Sequence, residues 1–215
     1  MVILQPDRWY LKRDMQAFAP HVKGRVLDVG AGEVKRYKNL FTCDEYVTLD
    51  MNAEFKPDII ASATSLPMAD RSFDTVISNQ VLGDIADPDK AISEMARVLK
   101  TGGHLLFSES FINELHDEPY DYWRFTPHGY KELCQRHGLE IIEMRQRGGY
   151  WSSCAQNAIR YCLDRFQLYK RPLIGGIAKL LIYPYARFMI WLDIIDKSDA
   201  ARRFSIGWTV LARKK

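Results

Sequence analysis

Short apolar runs alternate with segments of helical periodicity along most of this chain. From Asp7 to His21, the residues Leu11, Met15, Phe18 and Val22 recur at helical spacing, and Pro20 closes the segment. RVLDV (25–29) is an apolar run ending in glycine, which predicts a buried strand. Val34 to Phe41 follows as a short helix. YVTLD (46–50), DIIA (58–61) and Phe73 to Ser78 are each too short for a helix and give the second, third and fourth strands. Pro88 to Lys100 predicts a helix with proline at its start, an apolar face of Ile92, Met95, Ala96 and Leu99, and Gly102-Gly103 beyond its end. HLLFSE (104–109) is the fifth strand and Thr126 to Arg136 a helix. LEIIEMR (139–145) is the sixth strand, and WTVLAR (208–213) closes the chain as the seventh.

Strands alternating with helices at this spacing predict an α/β fold: a doubly wound, mostly parallel, Rossmann-like sheet of seven strands. The expected organisation is one domain over 1–215. It comprises an N-terminal helix (1–24), a core (25–147), a helical insertion (148–207) between strands six and seven, and the last strand (208–215). With 215 residues, 47% hydrophobic and 27% charged, the chain reads as an ordinary globular protein. Its net charge of +3 does not point to nucleic acid. Cys43, Cys134, Cys154 and Cys162 show no CxxC spacing, which suits reduced thiols in a cytoplasmic protein. Residues 1–25 carry no long apolar stretch of secretory type, and no run of 18 uncharged apolar residues occurs, so a conventional membrane span is not expected.

In doubly wound sheets ligands bind beyond the carboxyl ends of the strands. The first strand ends at Asp28-Val29, so Gly30-Ala31-Gly32 lies there. Asp50, 22 residues beyond Asp28, ends the second strand, where a carboxylate can accept both hydroxyls of a ribose. A pyrophosphate is disfavoured: Lys35 occupies the sixth position of the glycine pattern, and Asp28 and Glu33 would repel phosphate. Carboxylates suit a ligand with a cationic amine and a sulfonium, which favours S-adenosylmethionine over a nicotinamide dinucleotide.

VLDVGAGE (26–33), VTLD (47–50) and residues 58–108 together resemble the class I S-adenosylmethionine-dependent methyltransferases, in the branch with the methyltransferase 11 type domain. The resemblance implies that Asp28, Gly30, Ala31 and Gly32 hold the methionine portion of the cofactor and Asp50 its ribose. Met51 would pack on the adenine, Ser62 and Ala63 would meet the adenine edge, and Asn79 would stand beside the methyl-transfer centre. Three departures stand out. Val34 replaces a third glycine, crowding the expected short helix; Ser62 replaces an acid; and Gly83-Asp84-Ile85 stands where the branch often has Glu-His and an apolar residue. These departures keep a non-catalytic S-adenosylmethionine-binding protein open beside the methyltransferase reading. The acceptor would be a small molecule, a saccharide or a lipid-linked compound, with no nucleic acid.

After the fifth strand comes ESFINELHDEPYDYWRFTP (109–127), dense in acids and aromatics. His116 is the candidate base or acceptor-orienting group, because imidazole titrates near neutrality, with Asp121, Tyr122 and Arg124 as further candidates. His116, Asp117, Glu118 and Asp121 are adequate ligands for a hard cation, but contiguous acids are usually a solvated loop and no metal is expected. Structural roles remain open for Tyr120, Trp123 and Phe125, while Thr126 would cap the next helix.

Residues 171–196 are apolar nearly all round. Tyr185, Phe188, Met189, Leu192 and Ile195 make one helical face, and Ile190, Trp191 and Ile194 a second. Such a helix needs a cover. The body of the protein, a second subunit as a homodimer, or peripheral contact with a membrane would each supply one. With Arg160, Arg165, Lys170 and Arg171, the insertion is expected to shape an apolar entrance for an acceptor with a greasy portion.

Overall fold

Seven strands form one sheet, in the order β3-β2-β1-β4-β5-β7-β6, in a computed structural model that describes residues 4–215. Residues 1–3 of the expected N-terminal segment lie outside the described residues. The strands are β1 (Arg25–Val29), β2 (Glu45–Asp50), β3 (Ile59–Ile60), β4 (Phe73–Asn79), β5 (Leu99–Ser110), β6 (Leu139–Arg147) and β7 (Gly207–Lys214). β1 to β5 pair in parallel, whereas β7 runs antiparallel to both β5 and β6. The doubly wound, mostly parallel sheet is thus the one the pattern predicts, with the strand order reversing between β1 and β4.

Alternation along the central strands separates two cores. Val26, Ile77, Leu106 and Leu211 face α1 (Pro6–Phe18), which contributes Leu11, Met15 and Phe18. Leu27, Val76, Leu105 and Val210 face the other way. There they join Ile92 and Met95 of α2 (Pro88–Val98) and Tyr130 and Cys134 of α3 (Pro127–Arg136). Both helices begin with a side-chain cap and a proline: Asp87 accepts from Lys90 N, and Thr126 from Gly129 N.

Two expected elements change. Residues 34–41 form no α-helix; Lys35 takes the left-handed region (φ 46°), which interrupts helical winding, and only a 3-10 turn at Lys38–Leu40 follows. Leu99 is extended, so α2 stops at Val98 and β5 starts five residues earlier than HLLFSE implies.

The insertion leaves and returns at one point, since Ile206 N donates to Arg147 O and Gly207 pairs with Arg147. It consists of α4 (Tyr150–Arg165), α5 (Pro172–Ile195) and the short α6 (Asp199–Arg202). Asp193 of α5 caps α4: its carboxylate accepts from the backbone N–H groups of Gly149, Trp151 and Ser152. Ala155, Ile159 and Leu163 of α4 pack on Ala186 and Met189 of α5. The two expected apolar faces are therefore redrawn. Met189 and Ile190 are buried together, while Phe188, Trp191, Ile194 and Ile195 face outward.

Candidate active site

The chain turns sharply where β1 ends. Gly30 N and Ala31 N both donate to Leu49 O, at 2.8 and 3.1 Å. Gly30 has φ 71°, and a Cβ there would lie 2.3 Å from Val81, so the position admits only glycine. Gly32 (φ 63°) differs, because nothing lies within 4 Å of where its Cβ would be. That open side faces a cavity of about 280 Å³ lined by Asp28, Gly30, Ala31, Gly32, Asn79 and Gln80, with Arg8 and Leu11 of α1 and residues 33–37.

Asp50 closes the loop from β2. Its Oδ2 accepts from Gly32 N at 3.0 Å and its Oδ1 from Asn52 N at 2.9 Å. Each carboxylate oxygen has a second lone pair, so acceptor capacity remains for ligand hydroxyls. Asp28 is 8% exposed and accepts from the Tyr46 hydroxyl at 2.8 Å. Burial pushes its carboxyl up to about 6; the Tyr46 bond opposes this and the charge of Asp50 adds to it. A buried acid in this condition gains from a cationic partner.

The other cofactor candidates are placed differently. Asn79 keeps its carbonyl oxygen on the Ser108 hydroxyl, at 3.1 Å. Met51 is 71% exposed, Ala63 is buried in the main core, and the Ser62 and Thr64 hydroxyls bond one another at 2.8 Å. Neither these three nor Asp50 lines the cavity beside Asp28; Asp50 adjoins it through its bond to Gly32 N. Val34 lies exposed in a turn, so there is no helix for it to crowd.

Arg8 and Gln80 also line a second cavity, of about 300 Å³, together with Gln5, Asp7, Asp84, Asn113, Glu114, His116, Asp117, Gln156 and Arg160. Its walls come from α1, the end of β4, the loop after β5, and α4. His116 Nδ1 lies 3.0 Å from Glu114 O, and its Nε2 3.8 Å from Asp84 Oδ1. A carbonyl only accepts, so in the neutral imidazole this contact places the proton on Nδ1 and the lone pair on Nε2. Asp84 stands where the family branch often has histidine, and His116 brings an imidazole beside that place from another loop. Burial pushes the Asp84 carboxyl up, against the pull of His116. Gly83 has its own reason: a Cβ there would lie 3.2 Å from Trp123 O. The Gly83 carbonyl in turn accepts from Tyr122 N and Trp123 N, fastening the loop to the end of β4.

Asp121 and Arg124 are committed to each other through two contacts, at 2.5 and 2.8 Å, and Asp121 Oδ2 also accepts from His116 N. Arg124 holds the Asp121 carboxyl well below the usual carboxylate range. Neither residue lines the cavity, nor does the half-exposed Tyr122; these sequence candidates build the loop around His116. Phe125 packs down on Tyr130. Among the described residues, Asp84, His116 and Asp121 bring ligand-type atoms within 4.8 Å of one another, a different set from residues 116–118 and 121. Arg124 already neutralises Asp121.

Sequence reading missed Arg8, Gln80, Gln5, Asn113 and Gln156. Gln80 directly follows Asn79 and had a local signal. Arg8, Gln5 and Gln156 had none, because only the docking of α1 and α4 over the strand ends brings them there.

A glycine loop at the switch point, a carboxylate ending β2 and a second cavity across Arg8 and Gln80 thus lie together at the carboxyl ends of the central strands of a Rossmann-like sheet. A methyltransferase domain family model matches residues 27–107. The chain is 38% identical over 96 residues to a demethylmenaquinone methyltransferase of Renibacterium salmoninarum, covering 40% of each chain. With an uncharacterized protein of Methanocaldococcus jannaschii it shares 28% identity over 178 residues, 74% of this chain and 83% of the other. In fold it is similar to the crystal structure of a putative methyltransferase from Bacillus halodurans, with a TM-score of 0.60 at 15% identity, covering 94% of this chain and 98% of that one.

Proposed function

We propose that this protein binds S-adenosylmethionine in the cavity beside Asp28 and methylates a polar, hydroxyl-bearing group held in the second cavity. The observation that carries this reading is the sharing of Arg8 and Gln80 by the two cavities, with His116 Nε2 free in the second. The residues fit the cofactor. The open side of Gly32 leaves room for it, Asp28 supplies a buried anion for its ammonium group, and Asp50 retains lone pairs for ribose hydroxyls. When bound, S-adenosylmethionine supplies an electrophilic methyl group on a sulfonium.

The protein's part is positioning and proton removal. His116 Nε2 takes the acceptor's proton while Nδ1–H stays on Glu114 O. Asp84 offsets the resulting imidazolium charge. Arg8, Gln80 and Asn113 offer donors to the acceptor's oxygens, so the acceptor's reacting end is polar: a hydroxylated small molecule, a saccharide, or the head of a lipid-linked compound.

Titration calorimetry with S-adenosylmethionine, S-adenosylhomocysteine and NAD tests the cofactor half of the proposal; binding of NAD alone would overturn it. Transfer of labelled methyl from S-adenosylmethionine into a cell extract tests the catalytic half. Tight cofactor binding with no transfer into any fraction would leave a cofactor-binding protein instead of an enzyme.

A further inference from the structure

The outer side of α5 has no cover. The helix is long and apolar enough to cross a membrane, yet of Leu173–Ile195 only Gly175, Ala186, Met189 and Ile190 are buried. Leu173, Leu180 and Leu181 are 85%, 75% and 73% exposed, and Phe188 and Trp191 stack outward beside them. At 100° per residue these positions fall within one arc of about 100°, opposite the Ala186 and Met189 side that packs on α4. Exposed apolar surface of that extent marks an interaction site.

The surrounding charge says what the partner is. No Asp or Glu occurs from Arg165 to Leu192, while Arg165, Lys170, Arg171, Lys179 and Arg187 are all exposed and make no ion pair among the described residues. Five unopposed cations around a helix rich in aromatic and aliphatic side chains match the boundary of an anionic bilayer. They would repel the same patch on a second copy. An apolar groove of about 450 Å³ between α4 and α5, walled by Phe166, Leu168, Ile174 and Leu181, opens beside Arg171 and suits an acyl chain below a phosphate. The helix does not span, because its Ala178, Ala186 and Met189 side is held on α4 and Asp193 caps that helix.

We propose that α5 docks the protein on an anionic lipid surface, with its outer face in the headgroup boundary. α4 links that surface to the second cavity: Gln156 and Arg160 line the cavity while Ala155, Ile159 and Leu163 pack on α5. Vesicle flotation tests this without any assay of activity. The full chain is expected to float with phosphatidylcholine–phosphatidylglycerol vesicles and not with phosphatidylcholine alone, and added salt should release it. Leu180→Glu with Leu181→Glu should abolish flotation while leaving the thermal unfolding curve in place. Lys170→Gln with Arg171→Gln should weaken partitioning roughly fivefold per charge. The proposal is overturned by failure to float with the anionic vesicles, or by flotation indifferent to the double glutamate variant. A stable dimer in light scattering that the same variant dissociates would also overturn it.

Discussion

The guanidinium of Arg147 meets the carboxylate of Asp7 at 2.7 Å in the protein interior, across 140 positions of sequence. Asp7 also accepts from Gln80, and Arg147 donates to Glu109 O at 2.6 Å. One buried ion pair thus joins α1 to the ends of β4, β5 and β6, and it fixes where the neighbouring Arg8 stands. Removing one partner of a buried pair leaves the other charge stranded. Arg147→Met is expected to cost about 3–5 kcal/mol of stability, and Arg147→Met with Asp7→Asn to recover much of the loss. Urea unfolding of the three proteins measures both.

Asp28 is raised by burial in the free protein to about 6 from an ordinary 3.8. The folded state therefore binds more protons than the unfolded state between these values, and stability falls as pH rises through that window. Asp28→Asn should make the free protein more stable at pH 7 by up to about 3 kcal/mol, with the difference closing below pH 3.8. The same variant should bind S-adenosylmethionine much more weakly. Calorimetry and melting curves in parallel check the trade. A variant that is neither stabilised nor impaired would remove Asp28 from the site.

Asp50→Ala should lower S-adenosylmethionine affinity at least about tenfold, since hydrogen bonds to a charged group contribute about 1.5–3 kcal/mol. Loss of the Gly32 N–H bond adds to the effect. Val34→Gly is the contrast: the side chain is exposed in a turn, so stability should change by less than about 0.5 kcal/mol and affinity little. A large gain in affinity on that change would mark Val34 as an obstruction.

His116→Ala is expected to slow methyl transfer by about 10²–10⁴-fold while leaving cofactor affinity nearly unchanged. Asp84→Asn should slow it less, because the base itself stays in place. Single-turnover rates with a known acceptor give the comparison. Transfer at the parent rate in His116→Ala would reduce the residue to a part of the loop.

The period of the apolar residues determined the elements and their order, because burial on one or both faces of a strand and along one side of a helix is written locally. Asp28, the glycines and Asp50 were legible for the same reason: each sits at a strand end, and its spacing follows from the strands. The helix expected at 34–41 failed on one backbone angle, at Lys35, to which periodicity is blind. Met51, Ser62 and Ala63 were named from the family resemblance by position, and none of them lines the cavity beside Asp28. The union of Arg8 and Gln80 with His116 and Asp84 had no trace in the sequence. It depends on α1 crossing the strand ends, which the buried Arg147–Asp7 pair secures. The pattern at 171–196 declared a helix with too much apolar surface and basic residues about it; which side α4 would cover was decided only when the chain packed.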